Sequence, residues 1–272
     1  MAIMLTKPRI LAYSRGIASF FLLGCLVVAL YYFPVSYGDW RFFFRPAALS
    51  LTNPYQVKGI LNPPWTFVLL YPLALLPERW GGVAIALLSI IAIAIFLRSP
   101  AKLLAMSASA PFIFVIVLAQ LDALVLYGLM LPASLGPLLI MIKPQGALLT
   151  VLNRISRHSL IMFAGVFMIS ILVWGFWPAQ MLRAGLVPDE LRNASFFPYS
   201  LPLAPILVFF GIRQKSDACL CWATLCVSPF FQMHSMLPAI ACTIQETKDW
   251  RIWALLSILS WLMYAGHVGW VI

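Results

Sequence analysis

Apolar segments follow one another along this chain with almost nothing between them: about 16–35, 80–97, 103–118, 120–132, 134–153, 160–177, 201–212, 218–231, 236–247 and 252–271. A soluble domain needs a polar outer face, and a chain that is 63% apolar and only 10% charged cannot make one of this size. A bilayer is therefore the expected solvent for most of it. Each crossing takes about 20 apolar residues, fewer where a span is tilted or broken, so the chain holds roughly nine to eleven spans and little else. The expected fold class is all-α: a polytopic transmembrane helical bundle forming a single domain over residues 1–272. No internal repeat or low-complexity linker divides it.

The net charge of +10 invites a nucleic-acid reading, but Lys and Arg occur in ones and twos between the apolar runs. That scatter is the pattern of topology signals facing the cytoplasm, and no nucleic-acid partner is expected. Cys25, Cys219, Cys221, Cys226 and Cys242 are odd in number and all lie inside apolar runs, which fits core packing better than a zinc site. Lys7, Arg9 and Arg15 precede the first apolar run, which is too long for a signal peptide and lacks a small-residue cleavage site. A retained first helix is the expectation.

Orientation follows from the charges. Lys7, Arg9, Arg15, Arg98, Lys102, Arg154, Arg157, Arg213, Lys215, Lys248 and Arg251 can all be cytoplasmic under two conditions. Residues 36–79 must form one long extracytoplasmic loop with juxtamembrane or re-entrant helices. Residues 134–153 must form a broken hairpin with Lys143-Pro144 at its outer tip. Seven basic residues then lie outside (Arg41, Arg45, Lys58, Arg79, Lys143, Arg183 and Arg192), against the usual trend.

The outer loop opens with GDWRFFFRPAALSL, residues 38–51. A helix there would show Arg41 and Arg45 on one face and Trp40, Phe43, Phe44, Ala47 and Leu51 on the other, with Pro46 in its first turn. That is the pattern of a helix lying in the interface, and snorkelling arginines would account for it without any chemistry. Further on, NPYQ holds Tyr55 and NPPW holds Trp65. Residues 63–77 carry Pro63, Pro64, Pro72 and Pro77, too many for a comfortable span, and suit a re-entrant helix roofing a cavity. On the same side Gln120 and Asp122 sit at the outer end of one segment, and Lys143 and Gln145 interrupt another. Ionisable groups at such depth mark functional sites by default, although a lysine at a helix tip can also snorkel. His234 falls near the same face, as phosphate ligand, proton shuttle or a loop histidine in water.

The order of GDWRFFFRPAALSL, NPY, NPPWTFVLLYPLALLP, AQLDALVL, IKPQGALL and SPFFQMHSMLP resembles the GT-C superfamily of integral-membrane glycosyltransferases. The resemblance is in particular to family 87, which includes polyprenol-phosphate-mannose-dependent mannosyltransferases and related arabinofuranosyltransferases. It spans residues 16–245. It implies a GT-C-like bundle in a bacterial inner or plasma membrane with its active site on the extracytoplasmic face. It also implies an inverting transfer of mannose or a similar sugar from a polyprenyl-phosphate donor to a glycan, lipid or protein acceptor. Asp39 matches the family's first-loop catalytic acid. Ala119-Gln120 matches its Gly-Gln, with the glycine replaced and Asp122 where Asn is more usual. Lys143-Pro144 matches its Lys-Pro, and Ser228-Pro229 with His234 its late Ser-Pro and His.

Inversion needs one carboxylate to take the acceptor's proton, and Asp39 is the candidate. The departing lipid phosphate needs fixed cations, for which Arg41, Arg45, Lys143, His234 and Arg183 are the candidates. Gln120, Asp122, Gln145, Tyr55 and Trp65 are expected to line the substrate site. No cofactor is expected; Asp39 and Asp122 are the carboxylates that a divalent cation would share. Two other readings stand beside this one: a flippase or transporter of a lipid-linked sugar, and a non-catalytic membrane subunit of a larger complex.

Overall fold

The computed structural model describes residues 22–33, 36–185 and 193–269, which form helices and irregular connections with no strand among them. The basic flank Lys7, Arg9 and Arg15, the first residues of the expected opening span, and Arg192 lie outside the described residues. The chain divides after Ser36 into two compact units. The described part of the first is α1 (Leu22–Tyr32), an apolar helix ending in an edge-on pair of rings, Tyr31 and Tyr32, 5.1 Å apart.

The second unit begins with a π-helical turn, Trp40–Phe44, that runs into α2 (Arg45–Leu49). Then come α3 (Trp65–Ala74), α4 (Glu78–Leu97), α5 (Pro100–Ser107), α6 (Ala110–Leu118) and α7 (Asp122–Met130). The short α8 (Gly136–Ile140) and α9 (Pro144–Ala147) lead through a 3₁₀ stretch, Leu148–Arg154, to α10 (Arg157–Trp174) and α11 (Trp177–Gly185). The rest is α12 (Leu203–Gln214), α13 (Asp217–Val227), α14 (Leu237–Glu246) and α15 (Trp250–Gly269).

Two of the described helices, α4 and α10, are long and apolar enough to cross a membrane, and a third span exists if α5 and α6, bent by 78°, count as one. The other expected segments also carry helices: α15 is as long as α4, at 20 residues, and the rest of those described are shorter. Residues 120–132 yield nine helical residues in α7, and the segment 218–231 carries α13, Asp217–Val227, of 11 residues. The shortening has local causes. Proline stands in the first turn of α5, α6, α8, α9 and α14, where its missing N–H costs nothing but the preceding helix cannot continue through it. Left-handed residues Arg98, Ala119 and Lys215 end α4, α6 and α12.

The core sits among α4, α6, α7, α13 and α14, where Ile93, Leu97, Val115, Leu126, Cys221, Leu225, Ile240 and Ile244 are buried together. Cys242 is buried with them, whereas Cys219 and Cys226 are half-buried and Cys25 is exposed, so core packing describes only two of the five fully. Backbones meet directly where α7 passes α8: a Cβ on Gly136 would stand 2.5 Å from the Gly128 carbonyl oxygen. One end of this core is closed by polar clamps. Arg154 donates two hydrogen bonds to Asp217, at 2.8 and 2.6 Å. Glu246 accepts from the Ala218 backbone at the start of α13 (2.9 Å), and Lys102 donates to the Gln245 carbonyl at the end of α14 (2.7 Å). From that end α13 rises to, and α14 returns from, the irregular segment 228–236. α10 stands apart from the core, with Leu172 81% exposed and Ile161, Met168, Ile169 and Val173 also outward.

Candidate functional site

Opposite the clamped end, irregular segments meet around a cavity of about 280 Å³. The first is the π-helical turn. Its Trp40 ring is fully buried, and the indole Nε1 donates to the Glu78 carbonyl at 3.0 Å. Only a glycine lets α4 come this close, because a Cβ on Gly81 would stand 2.5 Å from the Trp40 ring. The Tyr37 backbone N–H donates to Val117 O at 2.9 Å, tying the same turn to the end of α6. Asp39, Phe43 and Phe44 thereby form one wall.

The second wall is the loop Lys58–Asn62. The Asn62 carboxamide donates to Ile142 O at 2.7 Å, and the Tyr55 hydroxyl donates to Asn62 O at 3.0 Å. Burial pushes the Tyr55 phenol well above its usual range, so it remains a donor across the physiological pH range. The stitch to Ile142 fixes the turn between α8 and α9, where Lys143 takes a non-helical conformation (φ −137°, ψ 74°) and, with Gln145, faces the cavity. A Cβ on Gly146 would lie 2.9 Å from Ser235 O, so this glycine admits the third segment, residues 228–236. Phe230, Gln232 and His234 of that segment complete the lining, together with Gln120 from the link between α6 and α7.

Beneath the lining lies an ionic cluster. Asp122, in the first turn of α7, is fully buried, with one carboxylate oxygen 3.3 Å from Lys143 Nζ and 2.9 Å from His234 Nδ1. Lys143 also donates to Gln120 Oε1 at 2.8 Å. The far ring nitrogen of His234, Nε2, lies 2.7 Å from Gln232 Oε1. One buried carboxylate thus orients two nitrogen bases, and an amide oxygen buttresses each of them. An ammonium has three N–H donors; one of those on Lys143 is given to Gln120, while the Asp122 carboxylate lies within ion-pair distance, and the residue also lines the cavity.

Of the sequence-derived candidates, Asp39, Gln120, Lys143, Gln145 and His234 share the cavity. The others do not reach its lining. Arg41 is exposed and pairs with Glu78, Nε to Oε1 3.2 Å, because the π turn inserts an extra residue and rotates it toward the start of α4. Trp40, Phe44 and Ala47 of the expected apolar face are buried in the protein and Phe43 lines the cavity, so this face packs inward and does not lie in an interface. Arg45 is half-buried off the lining, and Arg183 is exposed on α11. Tyr55 stacks on Trp177 (6.4 Å between ring centres), and Trp65 meets the same indole edge-on while donating to Leu138 O at 3.2 Å. Both support the walls from behind. Asp122 lies under the floor and does not line it.

The sequence reading missed Lys58, Asn62 and Gln232. Lys58 carried a signal, as a cation on the outer side between two Asn-Pro turns. Gln232 stands two residues before His234, the spacing that puts two side chains on one face of an extended segment. Nothing marked Asn62, whose contact is to a backbone carbonyl 80 residues away.

Among the described residues no group of three His, Cys, Asp or Glu side chains is arranged to hold a metal ion. Of the two carboxylates that a divalent cation would share, Asp39 stands on a wall of the cavity and Asp122 lies beneath its floor, 3.3 Å from the Lys143 ammonium. No protein-family model, curated protein or solved structure matches the chain.

Proposed function

We propose that this protein is a multi-pass membrane glycosyltransferase that moves a sugar, with inversion, from a polyprenyl-phosphate donor to an acceptor on the extracytoplasmic face. The observation that carries the reading is the meeting, in one cavity, of the Asp39 carboxylate with the Lys58, Lys143 and His234 nitrogens, from segments more than 190 residues apart in the chain. A carboxylate opposite a set of cations is what the reaction needs. The acceptor oxygen attacks the anomeric carbon while the Asp39 carboxylate takes its proton. The anomeric C–O bond breaks, and its electron pair leaves on the lipid phosphate. Lys143 and Lys58 stabilise the charge that gathers there; Lys143, buried among protein, does so more strongly than it could in water, whereas Lys58 stands exposed at the rim.

The membrane half of the reading rests on α10 and α12. Leu172, Ile169, Leu160, Leu203, Ile206 and Phe209 are all exposed, a surface that hydrocarbon covers at no cost and water does not. In that setting the shorter helices α7, α13 and α14 belong to the same bundle, since they are buried by neighbours and need not face lipid. The apolar hollow between α3, α8 and α10, walled by Trp65, Val68, Leu69, Leu135, Leu139 and Ile169, is suited to a prenyl chain. Its walls continue into the cavity, α3 toward Asn62 and α8 toward Lys143.

Asp39→Asn tests the reading in native membranes supplied with polyprenyl-phosphate mannose. Transfer should fall by three or more orders of magnitude, while the variant folds and retains the donor with little change. Turnover surviving in Asp39→Asn would remove this carboxylate from its role as base.

A further inference from the structure

The tripeptide Asn193-Ala194-Ser195 touches no part of the cavity lining, yet it grips the segment that supplies three of the lining side chains. Residues 228–232 run extended between α13 and the 3₁₀ turn Met233–Met236. Side chains alternate along this strap. Phe230, Gln232 and His234 face the cavity, whereas Phe231 and Met233 line apolar hollows on its other side. The Asn193 carboxamide holds the strap on both sides of Phe230: Nδ2 donates to Pro229 O at 3.1 Å, and Oδ1 accepts from the Phe231 N–H at 3.3 Å. The Ala194 N–H donates to Phe231 O at 2.8 Å, and the Ser195 hydroxyl donates to Ser228 O at 2.5 Å. Ser195 N–H in turn donates to Asn193 Oδ1 at 3.0 Å, which orients the carboxamide.

We infer that Asn193, supported by Ser195, is a positioning residue that sets the register of the strap and so holds Gln232 and His234 at the anion-binding wall. The inference rests on the proposed phosphate site, to which His234 is tied through the Asp122 carboxylate that it shares with Lys143. Register matters because a slip of one residue in an extended segment exchanges its two faces. Phe231 and Met233 would then enter the cavity, and Gln232 would leave it. His234, on the same face as Gln232, would turn away with it and lose its contact to Asp122. The tripeptide has the form of an N-glycosylation acceptor, but the hydrogen bonds explain an asparagine and a serine at this spacing without any glycan.

The experiment is a double-mutant cycle on the full-length protein in lipid nanodiscs, reading the affinity for geranylgeranyl phosphate. His234→Ala and Asn193→Ala should each weaken binding about tenfold, a change of 1.4 kcal/mol. In the His234→Ala background Asn193→Ala should add nothing, because its effect passes through the imidazole. Losses that multiply would show a general structural role and overturn the inference. So would unchanged affinity in Asn193→Ala while Lys143→Ala and His234→Ala lose theirs, an outcome that leaves the phosphate reading standing. If Lys143→Ala and His234→Ala both bind as the parent does, the phosphate reading itself fails and takes the inference with it. Should Asn193→Ala not fold, Ser195→Ala, which removes one hydroxyl–carbonyl bond to the strap, carries the same cycle.

Discussion

Lys143 has two tasks that a single substitution would confound. It neutralises a carboxylate that has no access to solvent, and it offers a donor to the cavity from a position only 6% exposed. Removing one member of a buried ion pair leaves the other charge stranded, which costs roughly 3 kcal/mol. Lys143→Met should therefore lower stability by about that amount, toward the smaller side because His234 still faces Asp122. Adding Asp122→Asn should restore most of the loss, since an uncharged pair of similar volume is tolerated there. Binding of a prenyl phosphate should stay weak in the double variant, for the donor to the cavity is gone. Unfolding in mixed micelles and titration with geranylgeranyl phosphate read the two effects separately; recovery of binding along with stability would assign Lys143 to structure alone. These residues were legible in the sequence because a charge or an amide that interrupts an apolar run is conspicuous. Asp39, Gln120, Lys143, Gln145 and His234 all had that signal. Arg41 had it too, but its direction depends on one extra residue per turn in Trp40–Phe44, and no periodicity in RFFFR betrays a π turn. Asn62 and Gln232 act on a backbone carbonyl and on one ring nitrogen, geometry that leaves no trace in composition.

At the scale of elements, the apolar runs located the helices well and matched the lengths of α10, α12 and α15, but overran α7 and α13. Residues 80–97 became α4 nearly whole. Residues 134–153 became α8, α9 and a 3₁₀ stretch, breaking at Lys143-Pro144 as the proline suggests. What hydropathy could not disclose is where backbones touch, since that is decided by glycines whose absence of a side chain carries no hydrophobic signal. Gly136 is the sharpest instance. Its new Cβ would meet the Gly128 carbonyl oxygen at 2.5 Å, and a backbone atom cannot rotate away as a side chain can. Gly136→Ala should thus push α8 from α7 and destabilise by about 1–3 kcal/mol, in the range of other overpacked sites. The displacement should also loosen the turn that carries Lys143. Gly165→Ala is the internal control: the same change in the middle of α10 finds nothing within 4 Å, and the alanine should be neutral or stabilising by about 0.5–1 kcal/mol. Thermal unfolding of the two variants in one detergent separates close approach from helix propensity; equal midpoints would deny that α7 and α8 meet through their glycines.

Across the second unit the polar chemistry separates into two ends. One holds the cavity, with the starts of α4 and α14 and the finish of α13. The other holds the opposite termini of those helices, where Arg154 grips Asp217 and Lys102 grips the end of α14. Arg98 stands at the finish of α4, and Arg213 and Lys215 immediately precede the start of α13. Basic residues stand at both ends, with Lys58 and Lys143 in the cavity and Arg41 beside the start of α4; under the proposed function the loops of the clamped end would be the cytoplasmic ones and the cavity would face outward. α4 alone, at about 1.5 Å per residue, is close to the thickness of a bilayer core and sets the distance between the two ends. The shorter α13 and α14 join the same ends across less height, which under the proposed function would set the cavity floor, with Asp122 and Lys143, below the outer surface. The arrangement is testable without knowing any substrate. In a variant lacking the native cysteines, single cysteines at Lys58 and Gln232 should react with a membrane-impermeant maleimide added to intact cells. Cysteines at Arg213 and Lys248 should react only after permeabilisation. Labelling of both sets from one side would break the link between the cavity and the extracytoplasmic face, and with it the supply of a lipid-borne sugar from that side.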